Sequence, residues 1–431
     1  VLASLAALMG LVHWLASFPS ISGEVRRKAV HVGMGLLTLT FPWLFHESWP
    51  VWLLAVMASV ALGFLRCHGG ARATVGRALH DVSRHSWGEL CFPWAVAAVF
   101  WLAGGDAVSF GIPVLLLTLA DAAGALAGVR YGRAGFRTPE GGRKSGGGSL
   151  AVFGVSFLCA HLPLLLMTEM GRAECVCAAL TLALLVMLME SVAVRGLDNV
   201  IIPLGAYFLL QFYREMPADA LILRFLATAA VLVMVVLMRR WHGLDAGASM
   251  GCALLGYGAF ALGGWVFLVP LLGFYTRHVA SLLFRPHLRQ YRHGIVAVLS
   301  LAAGTLPWLG WQWHHTGPGL WPHVICVCLH SAINYHGGLL ADGRRLQLRD
   351  VIEATGMALV FSLLPLGFLT GWQNVILPGV VAALLLPPVL AVCVRILPRR
   401  ADGCYAVTER RFFVQALIAF AGSTVILLFH P

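Results

Sequence analysis

Charge is scarce in this chain. Only 11% of its 431 residues are Asp, Glu, Lys or Arg, against about a quarter in a soluble domain. That scarcity excludes a water-soluble globular protein. Long polar stretches are missing too: the longest, Arg130–Gly148, is about 19 residues, a length that marks a functional loop. Metal-type cysteine spacing is absent. The ten cysteines are scattered, and Cys175-Val176-Cys177 and Cys326-Val327-Cys328 are tighter than the spacing of a zinc pair; they read as small buried residues. Lysine is almost absent. Of 30 basic residues, only Lys28 and Lys144 are lysines. A chain that uses Arg wherever a generic cation suffices points, with its two lysines, to places where a compact ammonium matters.

What is present is apolar. Hydrophobic residues make up 59% of the chain, with a mean hydropathy of +0.83. Apolar runs of about 17–25 residues are long enough to cross a bilayer as helices, which satisfy their own backbone in lipid. The expected fold is an all-α, polytopic transmembrane helical bundle of about 14–16 spans. Val1–Phe18 reads as the first span and not as a signal peptide, because it lacks a basic leading region and Glu24-Val25-Arg26-Arg27-Lys28 follows it. The net charge of +11 does not point to nucleic acid, since the cations sit between spans. Loops after odd-numbered spans hold Arg26, Arg27 and Lys28, then Arg66 to Arg84, then Arg130 to Lys144, then Arg195, Arg239 and Arg240, and so on to Arg411. The alternate loops hold little beyond Arg172 and Arg214. The positive-inside rule then puts the odd loops in the cytoplasm and the N-terminus outside, as in a multi-pass protein of a bacterial inner membrane. Past Arg239 the loops shorten and acids thin out, so residues 1–240 and 241–431 are expected to form two membrane domains.

Chemistry gathers in the first of these. Asp121 lies inside the fifth span, where a carboxylate costs about 2.5–3.5 kcal/mol and needs a polar interior or a partner. Gly124, Ala125, Ala127 and Gly128 follow it and allow a helix or a ligand to come close. Lys144, Ser145, Gly146, Gly147, Gly148 and Ser149 resemble a phosphate cradle, in which glycines free backbone N–H groups for anions near a helix N-terminus. Arg143 stands where a Walker loop has Gly, and the same run suits a flexible linker. Glu190, Asp198 and Asn199 suit Mg2+, which prefers oxygen ligands; Asp198-Asn199 also suits a plain helix cap. Glu24, Arg27, Lys28 and His31 share one helix face. Glu89 opens the fourth span, where an acid is ordinary.

The order of these pieces is similar to the phytol kinase and dolichol kinase group, membrane enzymes akin to phosphatidate cytidylyltransferases. The resemblance rests on Glu24, Arg27, Lys28, His31 and Gly33; on Arg84, Ser86, Gly88, Glu89 and Pro93; on Asp121, Gly124, Gly128 and Gly132; on Lys144, Ser145, Gly148 and Ser149; and on Glu190, Asp198, Asn199 and Pro203. Two positions depart from it: Ala120, where Gly is frequent, and Gly147, where Glu is usual. The resemblance implies transfer of the γ-phosphoryl group of CTP, or another nucleoside triphosphate, to a phytol- or polyprenol-like lipid alcohol with Mg2+. It implies Arg27, Lys28, Lys144, Ser145, Gly146, Gly148, Ser149 and Asn199 on the nucleotide, Asp121, Glu190 and Asp198 on the metal, and His31 or Glu89 taking the alcohol proton. Two alternatives stay open: a cytidylyltransferase that makes a CDP-lipid, and a non-catalytic transporter or scaffold. In the second half, Gly247–Arg285 is faintly similar to the membrane family that includes phytyl-phosphate kinases. There the nearest candidates for a site are His330-Ser331-Ala332-Ile333-Asn334 and Asp342.

Overall fold

The computed structural model describes residues 23–67, 88–131, 135–137, 143–193, 196–238, 241, 243–290, 293–314, 319–341, 347–398 and 405–429. Val1–Phe18, Arg84, Ser86, Gly132 and Asp342 lie outside the described residues. The protein is an all-α membrane bundle. Among the described residues ten helices are long and apolar enough to cross a membrane, and Trp49–Phe64 and Gly88–Ala103 are shorter apolar helices. The chain divides into two compact units, Val1–Leu226 and Ala227–Pro431.

In the first unit the longer helices are α1 (Gly23–Thr38), α2 (Trp49–Cys67), α3 (Gly88–Ala103), α4 (Ala107–Leu115), α5 (Asp121–Tyr131), α6 (Gly146–Met167), α7 (Arg172–Val192) and α8 (Asp198–Arg214). A π-helical turn, Leu116–Ala120, joins α4 to α5, so that Ala107–Tyr131 runs as one apolar rod of 25 residues. A short antiparallel ribbon, β1 (Gly135–Arg137) with β2 (Arg143–Ser145), pairs Phe136 with Lys144. The middle of the unit is α7, most of whose apolar length is buried. It packs on α6 and α8; α6 packs on α5, and α1 packs on α4, the π turn and α5. Prolines sit inside α3, α4, α6 and α8, as membrane helices tolerate when neighbours satisfy the freed carbonyls.

Arg214, one of the two cations in the otherwise cation-poor loops, has a local explanation. It ion-pairs with Asp106 and donates to Ser109 Oγ at 3.0 Å. Asp106 also caps α4, accepting from Val108 N at 2.9 Å. Burial pushes the Asp106 carboxyl up, but hydrogen bonds from Ser109 and Arg214 outweigh it and hold the group below its ordinary value of 3.8. A depressed carboxylate stabilises the fold above the unfolded-state pKa, and that contribution is lost as pH falls through the folded value. Asp106→Ala is expected to cost about 1 kcal/mol for the cap, with at most about 1 kcal/mol more from the solvent-screened ion pair. Thermal unfolding in detergent should show the deficit at pH 7 and its disappearance in strong acid; a deficit unchanged by pH would mean that charge plays no part.

The second unit holds α10 (Ala246–Gly263), α11 (Trp265–Phe284), α12 (Ile295–His314), α13 (Leu320–Ala341), α14 (Leu348–Thr370), α15 (Trp372–Ile396) and α16 (Glu409–Ser423); α9 (Ala218–Leu237) carries the division between units. The core forms around α13, with Val324, Ile325, Leu329, Ile333 and Leu339 all inaccessible or nearly so. Buried histidines on this helix have partners. His323 Nε2 lies 3.0 Å from the Phe267 carbonyl. His330 Nδ1 lies 3.0 Å from Gln415 Nε2, and His336 Nδ1 lies 3.1 Å from the Tyr405 hydroxyl. His330 and Ser331 are both buried in this core, but His330 Nε2 and Ser331 Oγ have no hydrogen-bond partner.

Candidate active site

The site is assembled by α1 lying against the π turn and α5. Lys28 and His31 are three residues apart and share a face of α1. Gly35, one turn on, lets the helices meet: a Cβ there would lie 2.0 Å from Thr118 Oγ1 in the π turn. Lys28 is only 3% exposed, and its Nζ lies 2.5 Å from Asp121 Oδ2. His31 Nε2 lies 3.5 Å from the same oxygen and 3.0 Å from the Leu117 carbonyl, with its ring edge-on to Phe92 at 5.2 Å. A carbonyl only accepts, so Nε2 carries the hydrogen, and in the neutral ring Nδ1 keeps the lone pair. Leu117 belongs to the π turn. One extra residue in a helical turn rotates everything after it by about 100°, and π turns recur at functional sites for that reason. Here the rotation decides which way Asp121 faces.

Lys144 approaches from β2. Its ammonium lies 2.7 Å from Glu190 Oε1 and also donates to the Glu190 carbonyl. Glu190 is in the last turn of α7, where carbonyls lack helical partners and the dipole favours a cation. The glycine run after Lys144 differs from the sequence expectation. Gly146, Gly147 and Gly148 form the first turn of α6, not a loop, and Ser145 caps that helix by accepting from Gly148 N at 3.0 Å. The physical reason is close packing. A Cβ on Gly148 would lie 2.9 Å from the Gly124 carbonyl and 3.4 Å from Gly128 Cα, so these glycines let α6 press against α5. The neighbour admitted by Gly124 and Gly128 is thus a helix. Gly147 is exposed, and a Cβ there would meet Tyr131 only at 3.8 Å. Ser149 is half-buried in the same first turn.

Asp198 is the first residue of α8, and neither it nor Asn199 caps the helix: the cap residue is Leu197, without a side-chain bond. Asn199 instead donates to the Gly88 carbonyl at 2.8 Å, tying the start of α8 to the start of α3. Glu89 stands one residue further along α3, half-buried. Asp198 feels the charges of Asp121, Lys144 and Lys28, and Glu190 those of Lys144, Asp121 and Asp198. Arg27 acts on both Asp121 and His31. Three carboxylates and three cations therefore share one neighbourhood, to which Asn199 ties Gly88, the residue before Glu89. Asp198 Oδ1 is buried without a hydrogen-bond partner, a costly state that a cation would relieve.

The carboxylates do not form a ready-made cage. Among the described residues no three His, Cys, Asp or Glu side chains gather to hold a metal ion, and Asp121 and Glu190 are each paired with a lysine. Mg2+ does not require such a cage, since one or two carboxylates and substrate phosphates suffice; the orphaned Asp198 oxygen fits that chemistry. Sequence reasoning missed two members of the site. The Leu117 carbonyl is backbone and leaves no residue-type signal. Phe92 reads as one more apolar residue of its span.

Against known proteins, the chain is 32% identical over 189 residues to a phytol kinase of Synechocystis sp., an overlap that covers 76% of that relative and 42% of this chain. No family model matches, and no solved structure matches.

Proposed function

Because this chain belongs to the phytol kinase family, we propose that it phosphorylates a phytol-like prenyl alcohol, taking the γ-phosphoryl group from a nucleoside triphosphate, CTP being the expected donor, with Mg2+ at the cytoplasmic edge of the membrane. The observation that supports this most is the pair of lysine–carboxylate bridges, Lys28–Asp121 and Lys144–Glu190, beside the unpartnered Asp198 oxygen. Each bridge is a cation and an anion that can separate without leaving a bare charge if a metal–triphosphate enters. The ammoniums of Lys28 and Lys144, aided by Arg27, then take phosphate oxygens as charge-assisted hydrogen-bond partners. Asp198, joined by Asp121 or Glu190 once its lysine has turned to phosphate, would hold Mg2+, and the ion would supply charge neutralisation on the phosphates. The bond that forms joins the alcohol oxygen to the γ-phosphorus. The bond that breaks joins that phosphorus to the β–γ bridging oxygen, leaving the nucleoside diphosphate. His31 Nδ1 accepts the alcohol proton, held in register by Nε2 on the Leu117 carbonyl.

The test is a labelling experiment on purified protein with CTP, Mg2+ and prenols of several lengths. Label from the γ-position is expected in the lipid. Label from the α-position there would instead make the enzyme a cytidylyltransferase, and no turnover of any prenol with any nucleoside triphosphate would sink the kinase reading. Lys144→Ala is expected to lower turnover about 10²–10³-fold, the usual cost of losing one preorganised electrostatic contact to the reacting group.

A further inference from the structure

Arg277 stands inside a membrane span, on α11, where a charge is costly and marks function. It is 1% exposed, and its Nε and Nη2 are buried without hydrogen-bond partners. These two nitrogens lie on one edge of the guanidinium and form a planar fork of two donors. The Phe274 and Tyr335 ring centres lie 5.5 Å from the guanidinium, but such cation–π attraction is smaller than the cost of taking a guanidinium out of water. Arg277 lines a cleft of about 610 Å3 that has no carboxylate on its lining. The other two arginines of the cleft are engaged. Arg285 lies 3.5 Å from Glu353 Oε1, behind the cleft, and Arg411 donates to Asn334 Oδ1 at 2.9 Å. One open fork calls for one anion with two oxygens in a plane. A carboxylate has that shape and a matching single charge. A phosphomonoester brings a third oxygen and more charge, which one fork leaves unmatched.

The neighbouring space decides what carries the carboxylate. An apolar cavity of about 730 Å3, lined by residues such as Val235, Leu255, Leu271 and Val298, adjoins the cleft. His278, His293 and Asn334 line both. The cavity has the volume of a pocket for one small molecule, which suits a single chain better than the paired chains of a bilayer phospholipid. A charged head and an apolar body thus have contiguous places within one unit. We propose that the second unit binds a long-chain monocarboxylate, a fatty acid, with its carboxylate on Nε and Nη2 of Arg277 and its chain in the apolar cavity. The site shares no residue with the kinase site and does not depend on the kinase reading.

The experiment uses the full chain in nanodiscs and palmitic acid with a mid-chain diazirine as photoprobe, with crosslinked peptides mapped by mass spectrometry. Labelling at residues 231–301 is expected. Unlabelled palmitate should compete at least about tenfold better than hexadecanol, which lacks the anion, or acetate, which lacks the chain. Arg277→Gln should weaken labelling about tenfold or more, as expected for loss of a charge-assisted contact. Arg277→Lys keeps the charge but not the planar fork, and should weaken it nearly as much. The competition arms use the unaltered chain, so they decide the matter even if both variants fail to fold. Equal competition by hexadecanol, stronger competition by hexadecyl phosphate or phosphatidylglycerol, labelling confined to residues 1–226, or full labelling of Arg277→Gln would overturn the proposal.

Discussion

Asp121→Asn is expected to abolish phosphoryl transfer and also to destabilise the protein, and the two losses have separable causes. The carboxylate neutralises Lys28, which is 3% exposed and 2.5 Å away. Removing one partner of a buried ion pair strands the other, at about 3–5 kcal/mol. The second substitution, Lys28→Met, removes the stranded charge and replaces it with an apolar chain of similar length. The double variant Asp121→Asn/Lys28→Met should therefore regain most of the lost stability in denaturant unfolding. It should regain no activity, because both a carboxylate and a phosphate-binding ammonium are then missing. Full activity in the single variant would remove Asp121 from the site. A double variant no more stable than the single one would show that the two side chains do not depend on each other.

Gly148→Ala and Gly146→Ala are expected to behave oppositely, although both sit in the same first turn of α6. A methyl on Gly148 meets the Gly124 carbonyl at 2.9 Å, which is backbone and cannot rotate away; a methyl on Gly146 meets nothing within 4 Å. Overpacking at a fixed helix contact costs about 1–3 kcal/mol. Gly148→Ala should lower stability by that much. It should also lower turnover, since α6 and the attached Ser145 and Lys144 move away from α5. Gly146→Ala should be neutral or slightly stabilising, by up to about 1 kcal/mol, as Ala is the better helix former. Equal stability of the two variants, with an equal loss of nucleotide affinity, would mean that the glycines serve the phosphates and not the helix contact.

These two predictions mark where sequence reading stops. Spacing alone places Lys28 and His31 on one helix face, and Asp121 on a membrane helix that must give it a partner. Neither observation says that they meet, because they are 93 positions apart. Lys144 and Glu190, 46 apart, are joined only because α7 ends beside the ribbon. The glycine run reads as a cradle or a linker because glycine is compatible with both. It becomes a helix start because α5 presents Gly124 and Gly128 to it. Asp198-Asn199 reads as a cap, but the amide finds the Gly88 carbonyl of another helix, which no local pattern encodes.

By itself the sequence determines that this is an all-α membrane protein, because 59% hydrophobic residues with 11% charge leave no other way to satisfy the backbone in lipid. Its scarcity of lysine also singles out the two positions that form ion pairs with acids. Only the tertiary structure decided which acid each lysine holds, which way the π turn aims Asp121, and that Arg277 is buried beside a cleft without a carboxylate on its lining. The reason is physical. Burial in a bilayer is written in composition and periodicity, residue by residue. Charge pairing depends on a few ångströms between helices far apart in the chain, and on one inserted residue that rotates a helix without altering its composition.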